Sequence, residues 1–163
     1  MKKIAIIVLN YNGADLLKKF FKSIAPLLDE QVDLIFVDNN SADNSVELIK
    51  VFKDSAPESV KLVETNKNLG FTGGNNKGIK YALKKDYDYI MLLNNDVLVK
   101  DRFWQPMIDY LEENPQVGLV SPKIYFASGY ETHKDKYEQD ELGQVFWYAG
   151  GEIDWDNVEG KNR

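Results

Sequence analysis

Tyr89-Ile90-Met91-Leu92-Leu93-Asn94-Asn95-Asp96 decides the fold: an apolar run of strand length ends abruptly in two amides and a carboxylate. A near-continuous apolar strand is one buried on both faces, as parallel strands are. Polar groups just past its carboxyl end stand where open α/β sheets bind ligands. The same grammar occurs twice earlier. Ile4-Ala5-Ile6-Ile7-Val8-Leu9 runs into Asn10-Tyr11-Asn12-Gly13, and Leu34-Ile35-Phe36-Val37 runs into Asp38-Asn39-Asn40-Ser41. Three strands thus deliver Asn and Asp to one rim.

Helical patterns alternate with these strands. Leu17, Phe20, Phe21 and Ile24 share one helical face with lysines opposite, and Val46, Ile49 and Phe52 repeat the spacing after cap-type residues at 41–45, with Pro57 beyond the helix end. Val60-Lys61-Leu62-Val63 reads as a third strand. Gly70-Phe71-Thr72-Gly73-Gly74-Asn75-Asn76 leads into a helix whose buried side is Ile79, Ala82 and Leu83. Asp101 is expected to cap a helix carrying Phe103, Met107, Ile108 and Leu111, with Pro106 shifting its first turn and Asn114-Pro115 stopping it.

Val117-Gly118-Leu119-Val120 reads as another strand. Residues 128–144 are almost wholly polar and are expected to form a mobile loop. Val145-Phe146-Trp147-Tyr148-Ala149 recovers strand character, Gly150-Gly151 suggests a tight reversal into a short strand through Trp155, and residues 159–163 are polar and unpatterned. The β-α alternation predicts one α/β domain over residues 1–163, a mostly parallel sheet with helices on both faces.

A chain of 163 residues is long enough for a real core, and 44% hydrophobic with 28% charged residues is ordinary for a globular protein. The formal charge of -6 repels a phosphate-rich polymer, so nucleic acid is excluded as the expected partner. There is no cysteine, which rules out disulfides and thiol catalysis and is compatible with a reducing cytosol. Lys2-Lys3 followed by residues 4–9 imitates a signal peptide, but the apolar run is too short and reads as the first strand. No stretch approaches the roughly 20 apolar residues of a membrane span.

At the rim converge Tyr11, Asp38, Asn40, the Gly-rich segment 70–78, and Asn95 with Asp96. A ring can stack on a nucleobase, a carboxylate can accept from base or ribose, and a glycine-rich backbone can approach a pyrophosphate. Asp96 would hold a hard divalent cation that also binds two phosphates. Each residue has a plainer reading: Tyr11 as strand-end packing, Asp38 to Ser41 as turn and cap chemistry, Gly73-Gly74 as a loop, Asp96 as a cap. Neither G-x-G-x-x-G nor a P-loop is present. His133 and the acids Glu138, Asp140 and Glu141 read as solvated. Trp147, Tyr148 and Trp155 read equally well as an acceptor groove or as packing.

Taken together, the four motifs 8–13, 37–43, 66–78 and 92–96 resemble family 2 glycosyltransferases of the Rossmann-like GT-A fold, especially their rhamnosyltransferase-like branch, in order and spacing over about residues 4 to 125. The resemblance implies a metal-dependent, inverting transfer from a nucleotide-diphosphate sugar to a glycan or lipid-linked acceptor in cell-surface polysaccharide synthesis. It implies a cytoplasmic location, the inner face of the membrane included.

On this resemblance Leu9, Asn10 and Tyr11 belong to the nucleotide site. Tyr11 would stack on the base and Asp38 would hydrogen-bond it with Asn40 nearby. The backbone and amides from Gly73 to Asn76 would border ribose and diphosphate, Asn95 would face the ribose, and Asp96 would be the Mg²⁺ or Mn²⁺ carboxylate. The motif reads Asn94-Asn95-Asp96, so metal binding rests heavily on one acid. The family's general base is expected downstream of Arg163, since Glu131, Asp140 and Glu152 match no motif; the chain is expected to be the donor-binding part of a longer enzyme. The alternatives are a nucleotide-sugar-binding module without turnover and, more remotely, a nucleotidyltransferase, whose basic Gly-rich signature the segment 10–13 does not supply.

Overall fold

The computed structural model describes residues 2–55, 58–154, 156, 157 and 159–162; Pro57 and Trp155 lie outside the described residues. The chain forms two compact units, residues 1–101 and 102–163.

In the first unit, β1 (Ile4–Asn10), β2 (Val32–Asp38), β3 (Val60–Glu64) and β4 (Tyr89–Asn94) form a parallel sheet in the order β3-β2-β1-β4. After β3 the chain crosses back to the free side of β1, so the strand order reverses at β1, the kind of point where such sheets open a crevice. Register brings the strand ends level: Asn10 pairs with Asp38, and Leu9 with Asn94.

Helices cover both faces, as the alternation predicts. On one, α1 (Ala14–Ile24) and α2 (Ser45–Ser55) bring Phe20, Phe21 and Phe52 onto Phe36, with Phe21 and Phe52 stacked at 4.2 Å between ring centroids. On the other, α3 (Gly70–Ala82) packs Ile79 and Ala82 over Ala5, Ile7, Ile35 and Val37. This helix lies very close to the sheet. A Cβ at Gly78 would sit 2.5 Å from Ile7 Cγ2 and 2.9 Å from Val37 Cγ2.

Three expectations change here. The Gly-rich segment from 70 is not a loop ahead of the helix but its first two turns, with glycines serving close helix-to-strand packing. Leu83, at the helix C-cap, is exposed, so the buried side of the helix ends at Ala82. β4 is not buried on both faces: Leu92 is 50% exposed and Ile90 and Asn94 also face outward. It stands last in the strand order, with one neighbour, and α3 centres on β1 and β2.

In the second unit, α4 (Gln105–Glu113) starts later than an Asp101 cap would set it, because Pro106 fits the first helical turn and Asp101 adopts a left-handed φ of 47° in the preceding turns. Residues 117–120 form no strand: they pair with no ladder, and Leu119 is 86% exposed. β5 (Ile124–Tyr125) pairs antiparallel with β6 (Phe146–Tyr148), and β7 (Gly151–Asp154) pairs with β8 (Glu159–Asn162). The expected reversal of the 145–149 strand onto the next is therefore replaced by two separate ribbons. The polar segment 159–162 is a strand because backbone bonds to β7, not side-chain pattern, define it.

Candidate functional site

Strand alternation puts Asn10 and Asp38 on the same sheet face as Phe36, and the chain turns at the end of β4 so that Asn95 joins them. Asn10 is fully buried. Its Nδ2 donates to Asp38 Oδ1 (2.9 Å) and to Ser41 Oγ (3.2 Å), and its Oδ1 accepts from Asn95 Nδ2 (2.8 Å). Asp38, 2% exposed, also accepts from the Ser41 hydroxyl (2.6 Å) on Oδ1 and from the Ser41 amide (2.9 Å) on Oδ2. Three donors on four lone-pair sites leave Oδ2 one acceptor position.

Around this centre, the loops after the strands are tied to one another. Asn39 Nδ2 donates to Asn68 Oδ1 (2.8 Å) and Gly70 O (3.2 Å), and its Oδ1 accepts from the Leu69 amide (2.9 Å), which joins the end of β2 to the start of α3. The Asn12 amide donates to Ser41 Oγ (2.9 Å) while the Ala42 amide donates to Asn12 Oδ1 (2.7 Å). The amides at the start of α1, which no helical carbonyl reaches, are received at the entry to α2: Gly13 N–H by Ser45 Oγ (3.1 Å) and Ala14 N–H by Asp43 Oδ2 (3.0 Å). Burial opposes the Asp43 charge, but hydrogen bonds from Ser45 and from the Ala14 and Ser45 amides outweigh it and hold its carboxyl below the ordinary range.

The expected site residues therefore fall into three groups. Asn10, Asp38 and Asn95 meet in one network. Tyr11 (50% exposed), Asn40 and Asp96 stand at the open ends of the same three loops, Asn40 with a left-handed φ of 68°, and the Asp96 carboxylate makes no hydrogen bond or ion pair among the described residues. Leu9 faces the opposite side, against Gly74 of α3, and Gly73 and Asn76 sit within α3, outside the network. Sequence reasoning did not single out Gly13, Asn39 or Asn68. The available signal was the excess of Asn and Ser following each strand, more than turns alone require.

Among the described residues no three of His, Cys, Asp and Glu gather closely enough to hold a metal ion. A cation at this rim would have Asp96 as its protein carboxylate, an exposed hard oxygen donor free of other partners, with the remaining positions left to ligand oxygens and water.

In the second unit Glu131 is buried in the segment 128–144, where its carboxylate accepts from the amides of Gly129 and Gly143. Burial opposes its charge, yet its own amide and the Gly143 and Gly129 amides, with Lys134 nearby, hold its carboxyl below the usual range. The segment also contains a single 3₁₀ turn, Lys134–Lys136. Trp147 and Tyr148 border an open depression with Ser121 and Ile124.

The sequence profile of the family described as "Glycosyl transferase family 2" matches residues 5–157. Poly-beta-1,6-N-acetyl-D-glucosamine synthases of Staphylococcus aureus and Staphylococcus epidermidis are 28% identical over 126 residues and 29% over 123; the matches take in 76% and 74% of this chain and 29% of each synthase. The chain thus spans less than a third of these curated relatives. Among solved structures, the mannosyltransferase PcManGT of Pyrobaculum calidifontis in complex with GDP-Man and Mn²⁺ superposes with a TM-score of 0.60 at 18% identity, over 82% of this chain and 36% of that one. TarS 1-349 of S. aureus in complex with UDP-GlcNAc superposes with a TM-score of 0.59 at 14% identity, over 80% and 40%. These likenesses establish a GT-A-like α/β fold.

Proposed function

The chain belongs to glycosyl transferase family 2, and from that premise we propose that the rim of β1, β2 and β4 grips the nucleoside-diphosphate half of a sugar donor, whose sugar passes to a glycan or lipid-linked acceptor. One observation carries this: a sealed Asn10–Asp38–Asn95 network flanked by an exposed ring, Tyr11, and an exposed unpartnered carboxylate, Asp96.

Each group suits one part of such a ligand. Tyr11 stacks on the base, and the remaining acceptor position of Asp38 receives a base N–H. Asn95 meets a ribose hydroxyl. Leu9, Asn40, Gly73 and Asn76 form the margins; because the amides past the first turn of α3 are spent within the helix, contact from that segment falls to the exposed Asn76 side chain.

A diphosphate beside rim carboxylates needs a bridging cation, and Mg²⁺ or Mn²⁺ held by Asp96 would act as Lewis acid on the leaving diphosphate. PcManGT in complex with GDP-Man and Mn²⁺ supports this chemistry by analogy of fold. In the inverting reaction the acceptor hydroxyl oxygen attacks the anomeric carbon, its proton goes to a base, and the bond to the diphosphate oxygen breaks. Glu131 is a poor match for that base, since it already serves two glycine amides. For the same reason a donor-binding module without turnover is the second reading; slow donor hydrolysis by this chain would separate the two.

The synthase likeness favours polysaccharide synthesis, which we place at the cytoplasmic face of a membrane, although among the described residues no helix is long and apolar enough to cross one. The relatives named above carry N-acetylglucosamine or mannose in their descriptions, so the rhamnosyltransferase-like branch gains no support from them. Calorimetric titration with UDP, GDP and dTDP, with and without Mn²⁺, tests the proposal. One nucleotide should bind the wild type in Mn²⁺ and bind Asp96→Ala at least about tenfold more weakly, a loss of about 1.4 kcal/mol. Equal binding by the variant would remove Asp96 from the site.

A further inference from the structure

The carboxamide of Asn10 has no freedom to turn over. Its Nδ2 faces Asp38 Oδ1 and Ser41 Oγ, and a carbonyl there would find no donor, since an ionised carboxylate only accepts and the Ser41 hydroxyl spends its proton on Asp38. The Asn10 carbonyl must therefore face Asn95, and it accepts from Asn95 Nδ2 at 2.8 Å. That bond fixes the Asn95 amide in turn. Its nitrogen is held toward Asn10, its Oδ1 is turned away, and no donor reaches that oxygen among the described residues.

Gly13 lies directly over this link. A Cβ there would sit 2.5 Å from Asn10 Oδ1 and 2.6 Å from Asn95 Nδ2, the two atoms of the hydrogen bond. The φ of Gly13 is -110°, open to any residue. Glycine is needed here for contact and not for backbone conformation.

We infer that Asn10 is a positioning residue, locked by Asp38 and Ser41, that presents Asn95 Oδ1 as an acceptor to a ribose hydroxyl of the bound nucleotide, with Gly13 as the small residue the link requires. This rests on the donor-binding reading above and adds to it how Asn95 is aimed. Asp38, at the base end of the site, and Asn95, at the ribose end, are then joined through one buried amide.

The test compares, in Mn²⁺, the affinity for UDP or GDP, whichever the wild type binds, with that for its 2′,3′-dideoxy form. The wild type should prefer the ribose form by about tenfold, the worth of one hydrogen bond. Gly13→Ala should lose that preference by weakening only the ribose form, and adding Asn95→Ala should cost nothing more. Should Gly13→Ala not fold, Asn10→Ser, which removes the carbonyl that receives Asn95 while keeping a hydroxyl near Asp38, supplies the same comparison. A variant that keeps the full preference, or weakens both forms equally, overturns the inference. A wild type that binds no nucleotide overturns the donor-binding reading itself, a distinct result that ends the role of Asn95 with it.

Discussion

Two ends of one sheet carry the same residue types and treat them oppositely. Asn10 and Asp38, closing β1 and β2, are sealed in mutual hydrogen bonds, whereas β4, with Leu92 half exposed, ends in an open Asp96. β1 has strands on both sides and helices over both faces, and β4 has a single neighbour. Position in the sheet thus sets how far a polar group is tied into the frame: Asn10 is wholly spent there, Asp38 keeps one acceptor position, and Asp96 makes no bond among the described residues.

The comparison can be broken most forcefully at Asp38. Asp38→Ala deprives the Asn10 amide, the Ser41 hydroxyl and the Ser41 amide of their acceptor, and should cost about 3 kcal/mol in denaturant unfolding, in line with buried groups left unsatisfied. A loss below about 1 kcal/mol would mean the sealed side is not a frame. Gly78→Ala comes next. Crowding against Ile7 and Val37 should outweigh the gain in helix propensity and leave a net cost of about 1 to 2 kcal/mol.

On the open side, Tyr11→Ala and Asp96→Ala should each shift stability by no more than about 0.5 kcal/mol, as exposed substitutions do, while weakening nucleotide binding. Large destabilisation by either would erase the distinction. Asp43→Asn gives the smallest effect, visible at neutral pH. The stability that Asp43 contributes is present above the ordinary carboxyl range and disappears as pH falls through its lowered folded value, so the variant should be slightly less stable than the wild type at neutrality and the difference should close below about pH 4.

Much of the frame was legible because burial leaves a period in the sequence: residues 4–9 and 34–37 read as buried strands, and Leu17, Phe20, Phe52 and Ala82 pack as their helical spacing requires. The convergence of Asn10, Asp38 and Asn95 was legible from strand ends alone. Their bonding was not, because an Asn after a strand reads the same whether it caps a turn or lies buried against a carboxylate 28 residues away. Local pattern also overrated residues 117–120, whose Val and Leu suit a strand that finds no partner, and underrated 159–162, where backbone pairing acts through polar residues. The start of α3 was misread because glycines that serve close packing look like glycines that open a loop.

The most direct measurement is paramagnetic broadening of backbone amide signals by Mn²⁺ with the bound nucleotide. The account predicts that Tyr11, Asn95 and Asp96 broaden first, that Asp38 and Ser41 follow, and that Gln31 and Val60, which lie at or just before the opposite ends of β2 and β3, stay sharp. Broadening centred on the acidic stretch at 138–141, or none confined to the β1, β2 and β4 ends, would contradict it.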